Sequence, residues 1–96
     1  MSSSSILYEI TKLARQARGE KVENQQLLNE WVNVVEYGHL AELYPERRDY
    51  FDSLCLHLRQ LAHLARGLNE QNASRRIQTT LQKICKIESD RLLHAA

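Results

Sequence analysis

The clearest amphipathic pattern of the chain occupies residues 45–94, PERRDYFDSLCLHLRQLAHLARGLNEQNASRRIQTTLQKICKIESDRLLH. Apolar residues recur every three or four positions on both sides of a short polar segment, Asn69 to Asn72, and this is the spacing of amphipathic helices. The pattern predicts one helix over 45–68, with Pro45 at its first position, and another over 73–94. Because a connection of four residues can reach only an adjacent position, the two helices must be antiparallel neighbours.

The residues before this hairpin predict two further helices, over 5–18 and 24–37. A serine and Asn24 stand at their starts as N-caps, and Gly19 and Gly38 follow their ends as stops. No segment alternates apolar and polar residues with the period of a strand. The sequence therefore predicts an all-α protein, a compact four-helix bundle with a long antiparallel helical hairpin formed by its two C-terminal helices.

Each predicted helix carries an apolar stripe that we expect to face the core. In chain order the stripes comprise Ile6, Ile10, Leu13, Ala14 and Ala17; Leu27, Leu28, Trp31, Val32, Val34 and Val35; Phe51, Leu54, Cys55, Leu58, Leu61, Ala62, Ala65 and Leu68; and Ile77, Leu81, Ile84, Cys85 and Leu92. Glu88 interrupts the last stripe. Because a lone buried carboxylate is costly, we expect Glu88 where the bundle frays, paired with an Arg or Lys of the first helix.

The composition is that of a small globular protein. The chain of 96 residues predicts one domain over 1–96, and its apolar fraction of 43% is too high for disorder. No apolar run approaches the roughly 20 residues that span a bilayer, and the N-terminus has no secretory pattern. Cys55 and Cys85 lack the density and spacing of a disulfide scaffold. We therefore expect a cytoplasmic protein that makes no membrane contact.

Cys55 and Cys85 stand almost equally far from the predicted turn, on the facing stripes of the two long helices. They should therefore meet at one level of the hairpin. Two interpretations remain open: a pair of reduced thiols packed as small core residues, or a disulfide that ties the two helices together.

The sequence lacks the patterns on which catalysis and metal binding usually depend. It has no nucleophile elbow, glycine-rich phosphate loop or HExxH motif, and its four histidines are scattered. His57 and His63 lie six residues apart, about 240° around a helix, so they cannot share a metal ion. We expect a non-enzymatic protein with no catalytic residues, no metal ligands and no cofactor.

One short motif suggests a different chemistry. Residues 63–67, His-Leu-Ala-Arg-Gly, match the pattern H-x-x-[K/R]-G. In this respect the chain resembles a histidine phosphotransfer domain. The resemblance implies that His63 is exposed on a bundle helix and accepts a phosphoryl group, with Arg66 close enough to steady it. In that family small residues follow the glycine and the helix continues beyond it, whereas here Leu68 and Asn69 follow and the helix is predicted to end. An ordinary surface histidine is therefore the alternative interpretation.

Charge is distributed unevenly on a chain whose net charge is only +1. Between residues 59 and 86 there is one acid, Glu70, against six cations: Arg59, Arg66, Arg75, Arg76, Lys83 and Lys86. The four cations of the last helix should point away from its core stripe. This predicted basic face is either a solvated surface or a binding surface for an acidic partner, protein or nucleic acid.

The second helix has an unusually wide apolar arc. Its apolar residues cover nearly half of the circumference, so the helix is either central in the fold or contacts a partner through Leu27, Trp31 and Val34. The sequence thus favours a non-enzymatic protein-binding module, a small adaptor or an inhibitor of a larger macromolecular complex. A small helical subunit that contacts a nucleic-acid backbone in a ribonucleoprotein is the alternative, and a phosphotransfer protein using His63 is the third. Association with a second copy of the chain also stays open.

Overall fold

The structure, a computed structural model, describes residues 5–17 and 24–95. Within these residues the chain forms four helices and no strand: α1 (Ile6–Ala17), α2 (Gln25–Leu43), α3 (Arg48–Gly67) and α4 (Gln71–Ala95). The helices pack as a ring in which α2 contacts α1 and α3, and α4 contacts α3 and α1. The predicted all-α four-helix bundle and its long C-terminal hairpin are confirmed.

The core lies inside this ring and takes residues from all four helices. Its fully enclosed side chains include Ile6, Ile10, Val34, Leu54, Leu58, Leu61 and Ile84. Most members of the predicted stripes are therefore correctly placed. Leu28, Val32, Val35, Leu68 and Leu92 were expected to face inward and are instead exposed. Leu92 lies in the last turns of α4, the longest helix with 25 residues, against 12 in α1.

Local hydrogen bonds cap the starts of α1 and α2 at the residues where the sequence predicts caps. The Ser5 hydroxyl accepts a hydrogen bond from the Tyr8 amide at 2.9 Å, and the Asn24 side chain accepts one from the Leu27 amide at 3.1 Å. Both arrangements satisfy amides that have no partner within the helix. The proposed stop at Gly19 lies outside the described residues.

The turn between α3 and α4 is closed by a Schellman motif. Asn69 adopts a positive φ of 64°, while its amide donates to the Arg66 carbonyl and the Glu70 amide donates to the Ala65 carbonyl. Asparagine tolerates this left-handed conformation better than most residues, because its short polar side chain can hydrogen-bond locally. The turn is shorter than predicted, and α4 begins at Gln71 rather than Ala73.

The predicted end of the second helix at Gly38 was wrong. The helix continues to Leu43, and Gly38 is a buried residue inside it. A Cβ atom on Gly38 would lie 3.2 Å from Cγ1 of Ile10 in α1. The missing side chain therefore lets α1 approach α2 closely, and this packing role replaces the expected role as a helix stop.

Pro45 also has a different role from the one predicted. It follows Tyr44 in a turn that the Arg47 amide closes by donating to the Tyr44 carbonyl at 3.0 Å, and α3 begins only at Arg48. Proline suits the second position of such a turn because its φ is already fixed near −65°. The connector between α2 and α3 is therefore Tyr44 to Arg47, much shorter than predicted.

Glu88 is neither at a frayed end nor paired with the first helix. It is buried, and its Oε1 atom lies 3.8 Å from Nη1 of Arg48 in α3. Arg91, one turn further along α4, pairs with Glu42 of α2. Charged contacts thus link α4 to both α2 and α3 at the end of the bundle that holds the α2–α3 connector.

Candidate partner-binding surfaces

Helix α2 exposes a row of large aliphatic side chains, which we call the α2 stripe: Leu28, Val32, Val35 and Leu43. Their exposed fractions are 42%, 62%, 38% and 68%. Steps of four, three and eight residues keep them on one side of the helix, with the exposed His39 between Val35 and Leu43. Single exposed aliphatic residues are ordinary, but a row on one helix face is a candidate contact surface.

The residues predicted to form the apolar contact surface are not the ones on the α2 stripe. Leu27 and Val34 are 6% and 0% exposed and belong to the core, and Trp31 is half-buried against it. The prediction of Leu27 and Val34 as surface residues was therefore wrong, because α1 and α3 cover the part of α2 centred on Val34. The wide arc of α2 divides into a covered half and the α2 stripe.

Polar contacts attach α2 to α3 on the side away from α1. The His57 ring nitrogen Nδ1 lies 2.8 Å from Oε2 of Glu30, and the His57 ring stacks on Tyr37 with centroids 5.3 Å apart. An open groove of about 480 Å³ lies along this junction, lined by residues that include Glu30, Gln60 and His63. These contacts fix the rotation of α2 and so hold the α2 stripe outward.

Five of the six cations of the predicted basic face line two separate grooves, and Lys86 lines neither of them. In the first, Arg59, His63 and Arg66 of α3 line a concavity of about 240 Å³ together with Gln78 and Leu81 of α4. Their spacing of four and three residues places the three basic side chains on one side of α3. The residues that line this groove include no acid, so the charge of its two arginines is not offset by a carboxylate of the lining.

The second groove lies between α1 and α4 and holds about 180 Å³. Its lining includes Arg75, Arg76 and Lys83, together with Lys12 and Glu9 of α1. Arg76 is half-buried, whereas Arg75, Lys83 and Lys86 are exposed. The prediction that all four cations of α4 point away from the core is therefore only partly correct. Arg75, Arg76 and Lys83 line the groove beside α1.

His63 is exposed, as the phosphotransfer motif requires, and it lies in one groove with Arg59 and Arg66. Its helix ends at Gly67, one turn after the histidine. The structure thus provides an accessible histidine among cations, and phosphoryl transfer stays a prediction.

The two cysteines lie beside one another, as their distance from the turn predicted, but they differ in exposure. Cys55 is buried, and Cys85 is exposed at the edge of the α3–α4 contact rather than inside it. Burial, followed by the charge and hydrogen bonding of Cys85, raises the pKa of the Cys55 thiol to about 12. The structure contains both as free thiols.

The described residues provide neither a metal-binding cluster nor a membrane-spanning helix. No group of three or more His, Cys, Asp or Glu side chains in 5–17 and 24–95 is arranged to hold a metal ion. None of the described helices is long and apolar enough to cross a membrane.

Comparison with known proteins identifies no relative. No family model matches the chain, and neither a curated protein nor a solved structure is significantly similar to it. Function must therefore be argued from the surfaces themselves.

Proposed function

We propose that this protein is a non-enzymatic protein-binding module, an adaptor or inhibitor of a larger complex, and that it binds an amphipathic helix of its partner through the α2 stripe. The observation that supports the proposal is the exposure of four large aliphatic side chains on one side of a long helix. Burying such side chains in a complex stabilises it by removing apolar surface from water. A cytoplasmic setting is part of the proposal and agrees with the two free cysteines.

The spacing of the α2 stripe favours a helical occupant. Leu28, Val32 and Val35 follow one another at intervals of four and three residues, and these are the intervals at which helices interdigitate side chains along a seam. The α2 stripe runs from Leu28 to Leu43, which corresponds to about 22 Å of helix. A partner helix of similar length with an apolar stripe would fit this surface.

The charges on α2 add a requirement for the partner. Helix α2 carries Glu30, Glu36 and Glu42 and contains no Lys or Arg. Glu30 and Glu42 are engaged by His57 and Arg91, whereas Glu36 is exposed. Opposite charges beside a seam select partner and orientation. We therefore expect the partner helix to place a Lys or Arg next to Glu36.

Binding can be tested with one substitution on the α2 stripe and a matched control on another helix. Val32→Glu places a carboxylate in the proposed contact, whereas Leu56→Glu makes a similar change at an exposed residue of α3. Because burying an unpaired charge costs well over about 1.4 kcal/mol, Val32→Glu should weaken partner binding at least about tenfold. Leu56→Glu should bind like wild type.

The assay is capture of partners from native extract by wild type and both variants, with and without nuclease, followed by titration of the captured protein. A protein that is retained after nuclease treatment and lost with Val32→Glu alone supports the proposal. Equal capture by Val32→Glu and wild type overturns it. Sedimentation should show wild type and Val32→Glu as the same species; a wild-type dimer abolished by Val32→Glu would make a second copy the occupant.

A nucleic-acid backbone is the second candidate partner, because the grooves of α3 and α4 gather cations on a protein of net charge +1. Its test is the triple variant Arg75→Glu, Lys83→Glu and Lys86→Glu, which changes exposed residues outside the core. If nucleic acid is the partner, this variant should lose binding and wild type should show steep salt dependence, with log affinity falling by about 0.7–0.9 per phosphate contact. If the α2 stripe is the contact, the variant should bind the partner nearly as wild type does.

A further inference from the structure

Cys55 and Cys85 are the only two cysteines of the chain, and the fold brings them together from different helices. The two thiols are close enough for Cys85 to contribute, after burial, to the raised pKa of Cys55. Cys85 is exposed, whereas Cys55 lies buried beneath the surface. Cys85 is therefore accessible to a dissolved oxidant, whereas burial shields Cys55 from it.

The hairpin is held in register on both sides of this pair. Towards the turn, the Ser74 hydroxyl donates a hydrogen bond to the Ala62 carbonyl at 3.0 Å. Towards the far end, Arg48 lies 3.8 Å from Glu88. The residues in each pair are about equally distant from the turn along the chain. These contacts therefore hold α3 and α4 in the register that places Cys55 and Cys85 at the same level. Adjacent cysteines on neighbouring helices are the arrangement that a disulfide requires.

We propose that Cys55 and Cys85 form a redox modification site, at which a hydroperoxide converts the two thiols into a disulfide that crosslinks α3 to α4. The inference does not depend on the proposed partner or on the α2 stripe, because it concerns only the contact between the two helices of the hairpin.

The chemistry proceeds in two balanced steps when the oxidant is hydrogen peroxide. The Cys85 sulfur attacks one peroxide oxygen, the O–O bond breaks, and one water is released as Cys85 becomes a sulfenic acid. The Cys55 sulfur then attacks the Cys85 sulfur, the S–O bond breaks, the Cys55 proton leaves with the departing oxygen, and a second water forms. Two thiols and one peroxide thus give one disulfide and two waters, and a dithiol reductant reverses the change by thiol–disulfide exchange.

The order of these steps follows from the environment of each thiol. Burial keeps Cys55 protonated and away from peroxide, so Cys85 reacts first. Arg59 then favours ionisation of Cys55, whereas Asp52 opposes it. Cys55 acts as the thiol that resolves the sulfenic acid.

The experiment treats the purified full-length chain with micromolar hydrogen peroxide and follows it by intact mass, thiol titration and non-reducing electrophoresis. Wild type should lose two hydrogen atoms, fall from two free thiols to none, form no crosslink between chains, and return to its starting mass with dithiothreitol. Cys55→Ser should instead accumulate a sulfenic acid on Cys85 that dimedone traps. Cys85→Ser, a change at an exposed position, should resist the same dose.

Far-UV circular dichroism of each variant checks that it is folded before the oxidant is added. Two outcomes overturn the proposal: dimedone labelling of Cys85 in wild type as extensive as in Cys55→Ser, or crosslinked dimers without any intramolecular disulfide. If Cys55→Ser unfolds, rapid dimedone trapping in wild type replaces it, and the label should then disappear as the disulfide forms.

Discussion

Replacing Gly38 by alanine tests how α1 packs on α2. In an exposed helix interior this change would stabilise the protein by about 1 kcal/mol, because glycine has a low helix propensity. At this site the new Cβ would lie 3.2 Å from Cγ1 of Ile10. Ile10 is buried and β-branched, so its side chain has little freedom to turn away. Overpacking of this kind costs about 1–3 kcal/mol, and we expect Gly38→Ala to be neutral or to destabilise by up to about 2 kcal/mol.

Gly67 provides the matched control. A Cβ there would have nothing within 4 Å, and Gly67 does not have a positive φ. Gly67→Ala should therefore stabilise the protein by about 0.5 kcal/mol, through the backbone alone. Urea denaturation followed by circular dichroism measures both variants, and the free energy of unfolding of Gly67→Ala should exceed that of Gly38→Ala by about 0.5–2.5 kcal/mol. Equal stabilisation by the two substitutions would refute the close approach of α1 to α2.

Two further predictions concern the core and the phosphotransfer motif. Leu58→Ala should lower the free energy of unfolding by about 2–5 kcal/mol, because Leu58 is fully buried. Leu81→Ala should lower it by less, because Leu81 is only partly buried. Equal losses in urea denaturation would show that the core-facing sides of α3 and α4 are misassigned. Incubation with acetyl phosphate should leave no stable label on the protein, and a label that is lost in His63→Gln would instead establish His63 as a phosphoryl acceptor.

The sequence predicted the architecture because helical periodicity is strong in all four segments. The paired stripes of the hairpin, the cap at Asn24 and the polar turn around Asn69 are local signals, and each was found close to its predicted place. These features depend on residues near one another in the chain. Their physical causes, side-chain periodicity and the capping of free amides, act before any tertiary contact forms.

The errors arose where a distant residue decides the outcome. Gly38 has the local pattern of a helix stop, but it is buried against Ile10 of α1. Glu88 was expected where the bundle frays, paired with an Arg or Lys of the first helix, but Arg48 of α3 approaches it instead. Neither contact leaves a local signal in the sequence. The assignment of Leu27 and Val34 to a surface failed for the same reason, since the width of the apolar arc does not say which half the neighbouring helices cover. The exposed half could be identified only after α1 and α3 were placed.

The most direct test of the central claim, that the α2 stripe is the partner-binding surface, is site-specific photocrosslinking in the native host. A photoreactive residue at position 32 lies on the α2 stripe, and the same residue at position 56 lies on exposed α3 surface as the control. The proposal predicts a nuclease-resistant crosslink from position 32 to an apolar face of a helix in another protein, and none from position 56. Equal crosslinking from both positions, or crosslinks from position 32 to nucleic acid alone, would contradict it.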